Sequence, residues 1–300
     1  MSNEPLVSVI IPVYNGTNYL RDAIECALNQ TYQNTEILVI DDGSTDKTWE
    51  IIQSYGSRIK GIHKENGGVS TALNLGIESM SGEWFTWLSH DDLWEKNMLE
   101  RCVTHHRKNP DVKMFYANQK YIDFEGNIIS EKPAPYFPKG KNIRRTLVIG
   151  TYSGGITWFI NKDCFNKIGV FNTAYRCLQD TDLSVRIMAE YEVMKIDSFV
   201  ASSRVHNSQT GVLMKKHCQK ESIQFRKDFL NSIDPIVLFA DKVQRGGALI
   251  NYLWYVIARI YVLCLRILLF FGLVPIGLPA YKFMQTFPRT TKVLRSILHI

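Results

Sequence analysis

A chain of 300 residues with 45% hydrophobic and 21% charged side chains carries enough apolar material for a buried core. This excludes a disordered chain, a collagen-like repeat and a disulfide-stapled miniprotein. Its formal charge of +6 is uneven: residues 242–300 hold eight Lys/Arg and no Asp or Glu, which leaves 27 basic and 29 acidic residues, a balance of −2, in the first 241.

In chain order, Met1 to Pro5 carry an acid and a proline ahead of an apolar run, so no signal or transit peptide is read. The runs 6–13, 36–41, 59–63, 83–88 and 112–118 have the length and the β-branched or aromatic content of buried strands. Between them, 18–30, 44–55, 69–80 and 94–108 have helical spacing, with Ser44 placed as an N-cap and Gly82 just past the third helix. This alternation predicts an α/β fold with a mostly parallel sheet and helices on both faces. Farther on come a hairpin around Glu125-Gly126-Asn127, a strand and helix over 156–168, a helix carrying Gln179, Asp180 and Asp182, and a short run ending at His206. Cys26, Cys102, Cys164, Cys177, Cys218 and Cys264 are scattered without metal-ligand spacing and read as reduced thiols.

The polar residues with chemical potential follow the carboxyl ends of these strands: Tyr14 and Asn15, Asp41 and Asp42, Glu65 and Asn66, Asp91 and Asp92. In open α/β sheets ligands bind at that edge. Two converging pairs of carboxylates repel one another. A site of this kind that also takes phosphates calls for a divalent cation with hard ligands, Mg²⁺ or Mn²⁺. The plainer role of Asp42 in Asp-Gly-Ser-Thr is turn and cap chemistry, and a helix N-terminus accounts equally for Asp180 and Asp182. Trp84, Trp87, Trp94 and Trp158 read as core or pocket wall. The run ILVIDDG also has the look of a phosphoreceiver's acidic pair, but the next strand ends in His63-Lys64 rather than in a phosphoacceptor aspartate.

The segments 7–15, 29–32, 39–46, 66–70 with 74–76, and 89–92, continued more loosely through 169–171, 179–183 and 204–206, resemble the family-2 glycosyltransferases of GT-A fold. That resemblance implies a GT-A domain over 1–215 and an inverting transfer of a sugar from a nucleotide donor, UDP- or dTDP-linked, to a glycan or lipid-linked acceptor in cell-surface polysaccharide biosynthesis. It implies that Pro12, Tyr14 and Asp42 hold the base, with Asn15 on the same pocket edge. Asp91 would face the ribose and diphosphate, Asp92 and His206 would serve the metal, and Asp180 would be the catalytic base. The sequence departs from the family pattern at Ser89, where an acid is usual two positions before Asp91, and at Gln179, where Glu usually precedes the base. From another class, a noncatalytic nucleotide-binding α/β module would carry an Asp180 turned away from the pocket.

Residues 216–300 read as a helical, basic, membrane-associating region. Between 246 and 281 the only charges are Arg259 and Arg266, and the uncharged stretches of 13 (246–258) and 15 (267–281) residues fall short of the roughly 20 that a spanning helix needs. An in-plane or re-entrant helix at 247–281, backed by Lys282, Arg289, Lys292 and Arg295, fits an anionic inner leaflet. The alternative is a buried helical hairpin or an oligomer interface. A cytoplasmic enzyme peripheral to the inner face of the cell membrane is therefore expected, with no nucleic-acid partner.

Overall fold

The computed structural model describes residues 4–135, 154–207 and 209–232, together with Leu263. The chain divides into two units, Met1–Tyr136 with Ser153–Lys215, and Phe137–Tyr152 with Lys216–Ile300. The expected membrane region at 246–300 lies outside the described residues apart from Leu263.

The first unit alternates strand and helix from its start: β1 (Val7–Val13), α1 (Leu20–Leu28), β2 (Thr35–Asp41), α2 (Thr48–Gln53), β3 (Lys60–His63), α3 (Val69–Ser79) and β4 (Trp84–Trp87). There follow β5 (Leu93–Trp94), α4 (Met98–Lys108), β6 (Met114–Ile122), β7 (Ile128–Lys132), β8 (Phe159–Asn161), α5 (Asp163–Ile168), α6 (Gln179–Glu190), β9 (Val193–Arg204) and α7 (Thr210–Leu213). Helix α8 (Lys215–Ser232) leads into the second unit.

The strands form one sheet in the order β3-β2-β1-β4-β8-β6-β9-β5, with β7 beside β6. Pairs β1–β2, β1–β4, β2–β3 and β6–β9 are parallel, and β8 runs antiparallel between β4 and β6. Six strands (β1, β2, β3, β4, β6 and β9) therefore point one way, and their carboxyl ends share one edge. Val13, Asp41, His63, Trp87, Ile122 and Arg204 are the last residues before it.

Pro12 shows how sequence and register agree. Ile10 C=O accepts from Leu88 N–H on the β4 side, and Val13 C=O accepts from Asp42 N–H on the β2 side. By alternation, the N–H that Pro12 lacks would point to the β4 side. The β1–β4 pairing ends at Ile10 and Trp87, so no ladder bond is lost.

The core is aromatic where β4, β6 and β8 meet. Trp84 and Phe159 stack at 4.4 Å, Phe85 meets Phe165 edge-on at 5.3 Å, and Trp158 is fully buried. Each such side chain contributes about 1.5–3 kcal/mol by leaving water. On α1, Leu20, Ala23, Ile24 and Ala27 are buried, the spacing of one helix face. Gly82 is required by contact, since a Cβ there would lie 2.5 Å from Ser8 Oγ and 2.7 Å from Leu6 O.

Three local readings are corrected. Ser44 does not cap α2, which starts at Thr48; its Oγ is engaged by Asn15 N–H. The fourth helix starts at Met98 rather than 94, because Leu93 and Trp94 pair with Ser202 and Ala201 of β9. Cys177 and Cys218 are each disulfide-bonded rather than reduced, whereas Cys26, Cys102 and Cys164 are free.

Candidate active site

Beyond β1 the side chain of Tyr14 stands 48% exposed at the sheet edge. Asn15 adopts a left-handed φ of 51°, a conformation that its short polar side chain tolerates by bonding locally. Its N–H donates to Ser44 Oγ at 2.9 Å, and its Oδ1 accepts Thr45 N–H at 2.9 Å. Asn15 thus clips the loop after β1 to the loop after β2.

The two carboxylates of that second loop differ. Asp41 is fully buried; its Oδ1 accepts Ser44 N–H at 3.1 Å and its Oδ2 lies 2.7 Å from His63 Nδ1. Asp42, also buried, receives Gly67 N–H at 3.0 Å and Gly68 N–H at 2.7 Å, and Lys64 Nζ at 2.5 Å. Gly68 can aim its N–H this way because it sits at φ 91°, where a side chain would be strained. A carboxylate offers about four lone-pair positions, and three donors among the described residues leave one open.

The loop after β4 carries the second pair. Asp91 Oδ2 lies 2.8 Å from His206 Nε2, which follows β9. Asp92 turns into the protein, where its Oδ1 accepts Arg204 N–H at 2.8 Å. Burial, and after it the charge of Asp91, push the Asp92 carboxyl up to about 7, against hydrogen bonds from Arg204, Ser89 and Ser203. Arg204 is itself buried; its Nε donates to Asp91 C=O at 3.1 Å and its Nη1 to Phe124 C=O at 2.9 Å. Tyr19, at the start of α1, lies under the guanidinium at 4.5 Å, with its ring 5.5 Å from that of His206. His90 packs where a Cβ on Gly16 would lie 2.7 Å from its ring, and burial lowers its pKa.

Asp180 occupies the first turn of α6. The segment before it is laid across α3: Ser70 Oγ donates to Tyr175 C=O at 3.4 Å, and Asn74 exchanges bonds of 2.9 Å with the backbone of Phe171. The Asp180 carboxylate accepts from Thr181, by its N–H at 2.7 Å and its hydroxyl at 3.4 Å. It keeps some surface exposure, yet desolvation pushes its carboxyl up to about 6, against the Thr181 bonds. Beside it, Gln179 Oε1 is buried without a hydrogen-bond partner among the described residues.

Residues 8–169 match the family model described as glycosyl transferase family 2. The chain belongs to that family. An uncharacterized glycosyltransferase of Rickettsia typhi is 42% identical over 211 residues, covering 69% of this chain and 66% of that one. Against a Rickettsia felis glycosyltransferase the match, 41% identical, spans 36% of the relative's length. Among solved structures, S. aureus TarS in complex with UDP-GlcNAc superposes with a TM-score of 0.61 at 16% identity, covering 90% of this chain and 81% of that one. The mannosyltransferase PcManGT from Pyrobaculum calidifontis, in complex with GDP-Man and Mn²⁺, gives 0.56 at 16%, covering 91% and 88%. The fold is thus the GT-A fold of glycosyltransferases.

In this family-2 chain the sheet edge brings Asp91, Asp92 and His206 into one hydrogen-bonded group, and ties Asn15 and Asp42 into another through the loops after β2 and β3. Asp180 bonds to neither group, and Pro12 contributes packing inside β1. Among the described residues no three His, Cys, Asp or Glu cluster as a metal cage. The pair Asp91 and His206 does fit two adjacent positions on an octahedral cation: ligands at about 2.1 Å and right angles stand about 3 Å apart, and these stand 2.8 Å apart. The structure adds Lys64, Tyr19 and Arg204 to these groups. Lys64 carries a signal in following a strand at the binding edge and Arg204 in standing within the 204–206 segment of the resemblance, whereas no pattern marks Tyr19.

Proposed function

We propose that this chain transfers a glycosyl group from a nucleoside-diphosphate sugar, UDP- or dTDP-linked, to an acceptor hydroxyl with inversion at the anomeric carbon. The observation that carries the reading is the approach of Asp91 to His206 at the carboxyl edge of the parallel strands. Tyr14 offers an aromatic face to the base, and Asp42 one remaining acceptor position. Asp91 and His206 would hold Mg²⁺ or Mn²⁺, rather than the Asp92 and His206 that the resemblance implies, because Asp91 is the carboxylate that meets His206 while Asp92 accepts the Arg204 N–H. Asp92 supports that pair from behind by fixing β9. When bound, the cation neutralises the departing diphosphate.

Asp180 takes the proton of the acceptor hydroxyl as its oxygen attacks, and the nucleoside diphosphate leaves from the opposite face. A carboxyl held near pH 6 by burial is better matched to this task than one near 4. The acceptor is a glycan or lipid-linked glycan of a cell-surface polysaccharide, reached from the inner leaflet through the basic, apolar stretch 246–300. No helix among the described residues is long and apolar enough to cross a membrane.

The test is hydrolysis and transfer across a panel of nucleotide sugars with Mn²⁺, Mg²⁺ or EDTA. Activity confined to one or two UDP- or dTDP-sugars and lost in EDTA supports the reading; full activity in EDTA overturns its metal part. For the tail, deletion of 246–300 should abolish binding to anionic vesicles and leave donor hydrolysis measurable.

A further inference from the structure

We propose that Arg204 is a positioning residue that locks the Asp91–His206 pair to the β6–β7 turn, so that the cation-binding geometry and the neighbouring hairpin move as one unit. The proposal rests on the assignment of Asp91 and His206 to the cation.

Arg204 is 3% exposed, and its guanidinium makes no ion pair among the described residues. Its donors go to backbone carbonyls in two segments: Nε to Asp91 at 3.1 Å, and Nη1 to Phe124 at 2.9 Å and to Asp123 at 3.3 Å. Its own N–H fixes Asp92 at 2.8 Å, and two residues later the chain delivers His206 to Asp91. Tyr19 completes the cluster, below the guanidinium at 4.5 Å and beside the His206 ring at 5.5 Å.

Burying a cation without a carboxylate partner is costly, and an apolar side chain would fill the same space with less penalty. The turn gains little burial from the arrangement: Phe124 is 65% exposed, and Ile128 and Ile129 just beyond it are 58% and 57% exposed. What the planar fork supplies is a fixed separation between the turn and the Asp91 loop, which a lysine, with one nitrogen, cannot reproduce. Because the acceptors are main-chain carbonyls, the Phe124 side chain plays no part in these bonds, whereas the Arg204 fork makes both of them.

The experiment uses the full chain, wild type and Arg204→Lys, with UDP and Mn²⁺ as probe. Amide hydrogen exchange is followed over 88–94 and 120–130, with α3 as an internal reference, and affinity for UDP with Mn²⁺ is measured by calorimetry. Expected is joint acceleration of exchange in both segments, an unchanged α3, and an affinity about 10–100-fold weaker, the usual effect of removing a group that supports a metal ligand. Wild-type exchange in both segments, or loosening of one alone with affinity retained, overturns the proposal. If Arg204→Lys does not fold, Tyr19→Leu, which removes only the ring beneath the guanidinium, should loosen both segments in the same direction, and its failure to do so overturns the proposal too. Should wild-type UDP binding be equal in Mn²⁺ and EDTA, the metal reading fails, and the link is judged on exchange alone.

Discussion

Asp91 Oδ2 and His206 Nε2 meet at 2.8 Å although 115 positions separate them in the chain. The contact closes only when β9 lies in register beside β6 and the loop after β4 turns toward it, so the pair reports on the assembled sheet edge. Asp91→Asn and His206→Ala should each weaken binding of UDP with Mn²⁺ at least about 10-fold, the lower bound seen even for outer-shell partners of a metal. Binding in EDTA should change little. Equal losses with and without the cation would assign the pair to the nucleotide instead.

Asp180→Asn keeps shape and removes the proton acceptor, so kcat should fall about 10²-fold or more while donor affinity holds. The base must be ionised to act. With its carboxyl pushed up to about 6 by burial, wild-type kcat/KM should decline as pH drops through that value. An unchanged kcat in Asp180→Asn would leave the residue as a helix-terminus acid only.

The sheet edge was legible from the sequence because its signals are local: each apolar run ends where a polar pair begins, as at Val13 with Tyr14-Asn15 and at Trp87 with the Asp91 loop. What escaped depends on contacts distant in sequence. Trp94 has helical spacing with the residues after it, yet it pairs with Ala201 and sends its indole N–H to Ile156 C=O at 2.8 Å. Ser44 is a fitting cap residue whose hydroxyl is taken by Asn15, 29 positions away. Arg204 joins backbone atoms 80 and 113 positions away, and no spacing rule encodes a carbonyl. The resemblance gives Asp91 the diphosphate and Asp92 the metal; the contacts that distinguish them in the fold, Asp91 with His206 and Asp92 with the Arg204 N–H, join residues 115 and 112 positions apart and lie beyond any local spacing.

Asp92 offers a paired test. Asp92→Asn retains an oxygen for Arg204 N–H and spares the buried site a charge, so the fold should persist with a melting temperature near wild type. Asp92→Leu leaves that N–H buried without its acceptor, at a cost of about 1–3 kcal/mol, and should lower the melting temperature. Identical melting of the two variants would show that the bond contributes nothing.

Glu36 makes a prediction at the opposite edge. Its Oε1 receives Ser81 N–H at 2.5 Å and Gly82 N–H at 3.0 Å, and Ser8 Oγ–H bonds to it as well. Burial raises its pKa, but these bonds and the nearby Lys60 prevail and hold it below 4.5. A depressed carboxylate stabilises the fold above its unfolded pKa, and loses that effect as pH falls through the folded value. Glu36→Gln should therefore melt below wild type at pH 7, with the difference closing in acid. A gap that stays constant down to pH 3 would rule out ionisation as its source.

The common direction of six strands has a consequence for how such a chain can diversify. Glu36, Ser8 and Gly82 gather where the strands enter the sheet, whereas Asn15, Asp42, Asp91 and His206 gather where they leave it. Inheritance can therefore rewrite the exit loops for a new sugar while the entry side continues to hold the scaffold together. A library confined to the exit loops should yield soluble proteins with altered donor choice, and one confined to the entry side should yield mainly losses of soluble protein.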